Sequence, residues 1–319
     1  MALRTRVVLQ PHAVGQVKVS SRGFESAAFP THRAPFRHPL GLMFAIAAFF
    51  DADGVHIRID SASPPRSALG GSSAAAVALV AALQAAAERA GSKRRLSRRE
   101  VALLAHAIEA SVAGVPCGLQ DQLAAAFGGV NVWHWLSGFG EPAFRRQALP
   151  AAPGGESLPD HLLVAYCGVP HDSQDVNGRW VRQFLAGEKR ASWEEIAALT
   201  RRFAAALGAG DFEAAADAMN RETAVRRELT PAVLDATGEK LVAAAIDARC
   251  GARFTGAGGG GCLWAMGQRA AIKRLTPVWQ KILAGVADAR LLAPRIDTRG
   301  VAVEAMERDA GGGESNPGG

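Results

Sequence analysis

Little in this 319-residue sequence points to covalent or metal scaffolding. Its four cysteines, Cys117, Cys167, Cys250 and Cys262, lie far apart and form no CxxC pair. That spacing argues against a disulfide framework and a zinc cluster, and leaves reduced, structural thiols. Long apolar runs are missing too: the longest, Leu40 to Phe50, falls well short of the ~20 residues a bilayer requires, so no membrane helix is expected. The first residues, MALRTRVVLQ, lead to no small-residue cleavage site and alternate like a strand, so they are not read as a signal peptide, and the expected location is cytoplasmic. Strong charge is absent, the formal net value being only +6. The densest basic patch, Lys93-Arg94-Arg95 with Arg98-Arg99, has no aromatic residues interleaved to stack bases and reads as a solvated linker. No nucleic-acid or membrane partner is expected, and a mildly basic surface would suit an anionic small ligand. No internal repeat is found.

What is present is ample material for two cores, with 49% hydrophobic residues. Residues 4–10 and 16–20 alternate apolar and polar around Pro11 and Gly15, the pattern of a strand pair. Leu40–Phe50 reads as a buried helix and Val55–Asp60 as a strand. Helices follow over about Ser72–Arg89, from a Ser97 cap with Glu100 in the capping-box position to about Val112, and from about Leu119; Val130–Trp135 reads as a strand. PAAPGGESLP, between Pro150 and Pro159, has no periodicity and marks a boundary between domains at 1–150 and 151–310. The second half reads as a strand at His161–Cys167, several helices between Ser173 and Arg249, and a strand-like segment at Gly300–Glu304. The tail 311–319 has the composition of disorder.

The stretch 64–74, PPRSALGGSSA, runs into an alanine-rich helix and admits two readings. One is mechanical: the glycines turn the chain and a serine caps the helix. The other is chemical, since unpaired N–H groups at the positive end of a helix form a phosphate site. A second glycine cluster, 256–261, matches G-x-G-x-x-G, but a helix is expected before it and the strand-like Cys262–Met266 after it, the wrong context for a dinucleotide fingerprint. No glycine cluster is followed by GK[ST]. Gly256, Ala257, Gly258, Gly259, Gly260 and Gly261 suggest instead backbone packed closely against a ligand or another loop. Asp121, in CGLQDQ, could be a helix-capping acid or a catalyst. His106 and Glu109 read as an ordinary helical pair rather than zinc ligands. Trp133 and Trp135 read as strand packing, with stacking on a base or sugar as the alternative. His171, Asp172, Ser173 and Asn177 follow a strand and either face a ligand or begin a helix.

Taken in order, these motifs resemble the GHMP family of small-molecule kinases. PPRSALGGSSA looks like that family's phosphate loop, with Ala68 where glycine is usual. CGLQDQ resembles the C-G-x-x-D-Q of galactokinases, and RFTGAGGGGC the third family motif, with Arg253 where lysine is common. QDQLAAAFGGVNVW and YCGVPHDSQDVNGRW lean toward the bacterial branch of heptose 7-phosphate kinases and galactokinase-like proteins.

The resemblance implies an α+β, two-domain fold: an N-terminal domain of the ribosomal-protein-S5-like domain 2 type and a ferredoxin-like C-terminal domain. It implies ATP-dependent phosphorylation of a sugar or sugar-phosphate hydroxyl, with ATP and Mg²⁺ as cofactors. Pro65, Ser67, Ala68, Leu69, Gly70, Gly71, Ser72 and Ser73 would bind ATP. Ser73 and Glu109 would bind the metal. Asp121 would be the base, kept ionised by its first-turn position, and Gly118, Gly256, Ala257, Gly258, Gly259, His171 and Ser173 would lie on the substrate side. The family's first motif is not found ahead of these, so the resemblance implies a chain lacking its first ~25 residues, and a non-catalytic ligand-binding protein is the alternative. The acceptor and the oligomeric state stay open.

Overall fold

The structure, a computed structural model, describes residues 3–114, 117–136, 143–169, 174–293 and 295–305; the tail at 311–319 lies outside them. Its first half is built on a sheet of β1 (Thr5–Pro11), β2 (Gln16–Ser21), β3 (Ala27–Pro30) and β4 (Val55–Ser61), ordered β1-β4-β2-β3. Period-two alternation puts Val17 and Val19 of β2 beside Ile57 and Ile59 of β4 on one buried face, with Arg58 and Asp60 exposed on the other. Helices α1 (Gly41–Phe49), α2 (Gly71–Arg89), α3 (Arg98–Ala113) and α4 (Gln120–Phe127) cover that face. The capping box at Ser97 and Glu100 forms in full.

The two N-terminal strands form but do not pair with each other. β4 lies between them, antiparallel to β1 and parallel to β2, tied at its start by His12 N–H donating to Gly54 O at 2.7 Å. Its buried isoleucines take the doubly bonded central place, a long-range choice that the short 12–15 connection does not reveal. A hairpin of β5 (Val130–Leu136) and β6 (Ala143–Leu149) follows, in which Trp133 packs between Phe127 and Phe144 while Trp135 stays exposed.

The second half carries β7 (Leu162–Tyr166), α5 (Gln174–Leu185), α6 (Arg190–Ala209), α7 (Phe212–Leu229), α8 (Ala236–Asp247), β8 (Gly251–Phe254), β9 (Cys262–Met266), α9 (Arg269–Leu283) and β10 (Arg290–Leu292). The strand order β10-β7-β9-β8, antiparallel throughout, is ferredoxin-like, with extra helices inserted before β8. The strand before the glycine cluster is β8, where a helix was expected; because a strand also follows, the dinucleotide reading still fails.

Residues 300–304 are not a strand. The segment around them returns to the first half, where Asp297 pairs with Arg4 at 2.6 Å and its carbonyl accepts from Gly129 N–H at 2.7 Å, while Val301 N–H donates to Ala126 O at 3.1 Å. By length and composition α2 could cross a membrane, which a search for unbroken apolar runs overlooks. Here half of it is buried, packed on α1, α3, α4 and β1.

Candidate active site

The loop before α2 is held in a conformation that most residues avoid. Arg66, Ala68 and Gly70 all have positive φ, at 52°, 56° and 67°. Gly70 is the N-cap of α2 and supplies no side-chain bond to the first turn. The capping reading of the serines therefore fails. Ser72 and Ser73 sit inside the first turn, and their hydroxyls donate across to Glu109 of α3, at 3.0 Å to Oε1 and 2.9 Å to Oε2. The leading N–H groups of α2 are left without intrahelical acceptors, as a phosphate cradle requires.

Two substitutions probe this loop. A left-handed Ala68 costs ~1–2 kcal/mol over glycine in the folded state, partly offset by glycine's greater freedom when unfolded. Ala68→Gly is expected to stabilise the fold by about 0.5–1 kcal/mol, read by urea denaturation. At Gly71 a Cβ would meet no protein atom within 4 Å and would project into the cleft. Gly71→Ala should leave the melting temperature unchanged or raised yet weaken ATP binding by at least about tenfold, because the added methyl occupies the cradle.

Glu109 is the hub of the cluster. Gln122 of α4, buried at 1% exposure, donates through Nε2 to Glu109 Oε2 at 2.6 Å and to Ser73 Oγ at 3.2 Å, while its own Oε1 is buried without a partner. Sequence reading gave Gln122 no role, although it closes the CGLQDQ motif. His106 hydrogen-bonds the Cys117 carbonyl through Nε2 at 3.1 Å. Among the described residues no group of three or more His, Cys, Asp and Glu could hold a metal alone. A carboxylate with a hydroxyl beside it instead suits a magnesium ion whose remaining ligands are phosphate and water.

Asp121 stands against the loop, its Cβ and Cγ each 3.1 Å from where a Cβ on Gly70 would lie. Helix position was expected to favour its ionised form; its other surroundings push the other way. The side chain is accessible from the cleft, but it lies on a concave floor with protein around most of it. Dehydration first, and the charge of Glu109 second, push its pKa up to about 6. The first-turn dipole is outweighed. A carboxylate poised there is a better proton acceptor near neutrality.

These groups line one cleft of about 990 Å³ between the two halves of the chain. Pro65, Ser67, Ala68, Gly70, Gly71, Ser72, Ser73, Glu109, Gly118 and Asp121 face it, as do Gly256 and Ala257; Leu69 does not. Gly258 and Gly259 also point elsewhere: Gly259 N–H donates to Val233 O at 2.9 Å and Gly258 packs on that same residue. The glycine run serves loop-on-loop packing, since Gly261 abuts Ser67 and Ala68. His171, Asp172 and Ser173 lie outside the described residues, whereas Asn177 of α5 lines the cleft. The opposite wall was not anticipated: Trp180 and Phe184 of α5, Trp193 of α6, Arg226 of α7 and Arg253 of β8. Arg253 was noted only as a motif variant, and helical periodicity alone could not aim the others.

Residues 40–129, which carry the loop, Glu109 and Asp121, match the family model of the GHMP kinases N-terminal domain. This segment is a GHMP kinase domain. The GHMP kinase fold extends through the rest of the chain. A Lactococcus lactis galactokinase complexed with galactose is 16% identical with a TM-score of 0.72, over 93% of this chain and 87% of that one. Streptococcus pneumoniae phosphomevalonate kinase in complex with phosphomevalonate and AMPPNP is 15% identical with a TM-score of 0.71, over 92% and 91%. A D-glycero-D-manno-heptose 1-phosphate kinase from Bacteroides thetaiotaomicron is 14% identical with a TM-score of 0.60, over 94% and 87%. No curated protein matches the sequence. At these identities the GHMP kinase fold is what the solved structures share with this chain.

Proposed function

We propose that this protein transfers the γ-phosphoryl group of ATP to a hydroxyl of a sugar or sugar phosphate. The observation that carries the reading is the convergence of Ser73, Glu109 and Asp121, from three helices, on one cleft floor beside a helix N-terminus with no side-chain cap. The GHMP kinase domain match and the galactokinase and heptose kinase neighbours support it. Loop amides from Ser67 to Ser73 bind the nucleotide phosphates, and Glu109 with Ser73 offers oxygen ligands to Mg²⁺, which when bound neutralises phosphate charge. Gln122 braces both ligands, donating through Nε2 to Glu109 and Ser73. Asp121 orients the acceptor hydroxyl and takes its proton as the oxygen bonds to the γ-phosphorus and ADP leaves.

The test is ADP release over a panel of sugars and sugar phosphates with Mg²⁺-ATP, run beside Asp121→Asn. Turnover lost in the variant supports the assignment. Nucleotide binding with no ADP release from any acceptor would instead support a ligand-binding GHMP-like protein.

A further inference from the structure

We infer that Arg226 and Arg253, braced by Glu222, form an anion subsite that makes the acceptor a phosphorylated sugar in preference to its neutral parent; this rests on the phosphoryl-transfer reading. Glu222, 6% exposed on α7, accepts from Arg226 Nε at 2.9 Å and from Arg253 Nε at 2.7 Å, with Arg253 Nη2 at 3.4 Å. Burial pushes the Glu222 carboxyl up, but the two guanidiniums outweigh it and hold the group below the usual carboxylate range. One carboxylate against two guanidiniums leaves one positive charge in the wall.

That charge sits on a fork with open donors. Arg253 spends Nη1 on the Phe254 carbonyl at 2.9 Å, whereas both Nη atoms of Arg226 have no acceptor among the described residues. Arg226 is fixed as well: its guanidinium lies 4.5 Å over Trp180 and 5.2 Å over Trp193, and Trp180 is pinned by Nε1–H donating to Thr230 Oγ1 at 2.8 Å. A partly dehydrated guanidinium held rigid with a free edge matches a phosphate bidentately. The nucleotide phosphates already have the loop amides of the facing wall, so the phosphate this fork fits is the acceptor's own. Trp180 and Trp193 also line the cleft beside it and offer apolar surface to a sugar ring.

Calorimetry with AMPPNP present, using glucose 6-phosphate, galactose 1-phosphate and sedoheptulose 7-phosphate beside their parent sugars, tests this. At least one monophosphate is expected to bind tenfold or more tightly than its parent. Arg226→Met should erase that preference, and Arg226→Lys, which keeps charge and stacking, should lose most of it, with AMPPNP affinity moving less than threefold. The lysine variant decides the matter if the methionine variant does not fold. No monophosphate preferred over its parent, a preference that survives both variants, or AMPPNP affinity falling in step would overturn the subsite. ADP release on the same panel separates the two readings. Release without phosphate preference sinks the subsite alone, whereas Arg226-dependent monophosphate binding without any release sinks the kinase reading alone.

Discussion

Asp121→Asn is expected to lower kcat by about 10²–10⁴-fold while leaving ATP affinity and folding intact. The amide keeps the carboxyl's shape and hydrogen-bonding reach but cannot take a proton. Folding is spared because the cleft floor already disfavours the charged form: dehydration and Glu109 have pushed the Asp121 pKa up to about 6. The same shift fixes a pH profile. Above pH 6 the group is mostly ionised and competent as a base. As pH falls through 6 it protonates, so wild-type kcat/KM should drop approximately tenfold per pH unit on the acid side. The residual activity of Asp121→Asn should lack that limb. Steady-state rates from pH 5 to 8 for both proteins check this, and a variant retaining a tenth of wild-type activity would remove Asp121 as the base.

Gly261→Ala is expected to cost about 2–5 kcal/mol of stability. Gly261 has φ +82°, and a Cβ there would lie 2.8 Å from Ser67 O and 2.9 Å from Ala68 Cβ. The residue cannot retreat, because its N–H donates to Val169 O at 2.8 Å and its carbonyl accepts from Cys167 N–H at 2.9 Å. The phosphate loop must move instead. Urea denaturation should show the stability loss, and ATP titration at a temperature where the variant is folded should show weakened binding. Gly71→Ala is the contrast, hitting the nucleotide without the fold. Loss of neither stability nor ATP binding in Gly261→Ala would mean that the two glycine loops do not constrain each other.

Local signals were legible where local physics decides. The Ser97 and Glu100 capping box, the apolar helix at 41–49 and the alternating β4 needed only their own side chains to be read. The order Ser73, Glu109, Asp121 was legible through the motif resemblance, and the structure brings those residues together. What stayed hidden depends on partners distant in sequence. β4 separates β1 from β2 because of register with both. Ser72 and Ser73 do not cap because Gly70 takes the N-cap position, which leaves their hydroxyls inside the first turn to donate to Glu109, 36 residues beyond Ser73. The Asp121 pKa moves up rather than down because dehydration on the cleft floor and the charge of Glu109 outweigh a helix end. The Arg226, Trp180 and Trp193 stack joins three helices, and no periodicity announces it.

The return of residues 297–301 to the first half has a mechanical consequence. The chain passes between the halves once near residues 149–162 and again after β10, so they are pinned at two places. Two crossings restrict how far the halves can separate more than a single one would.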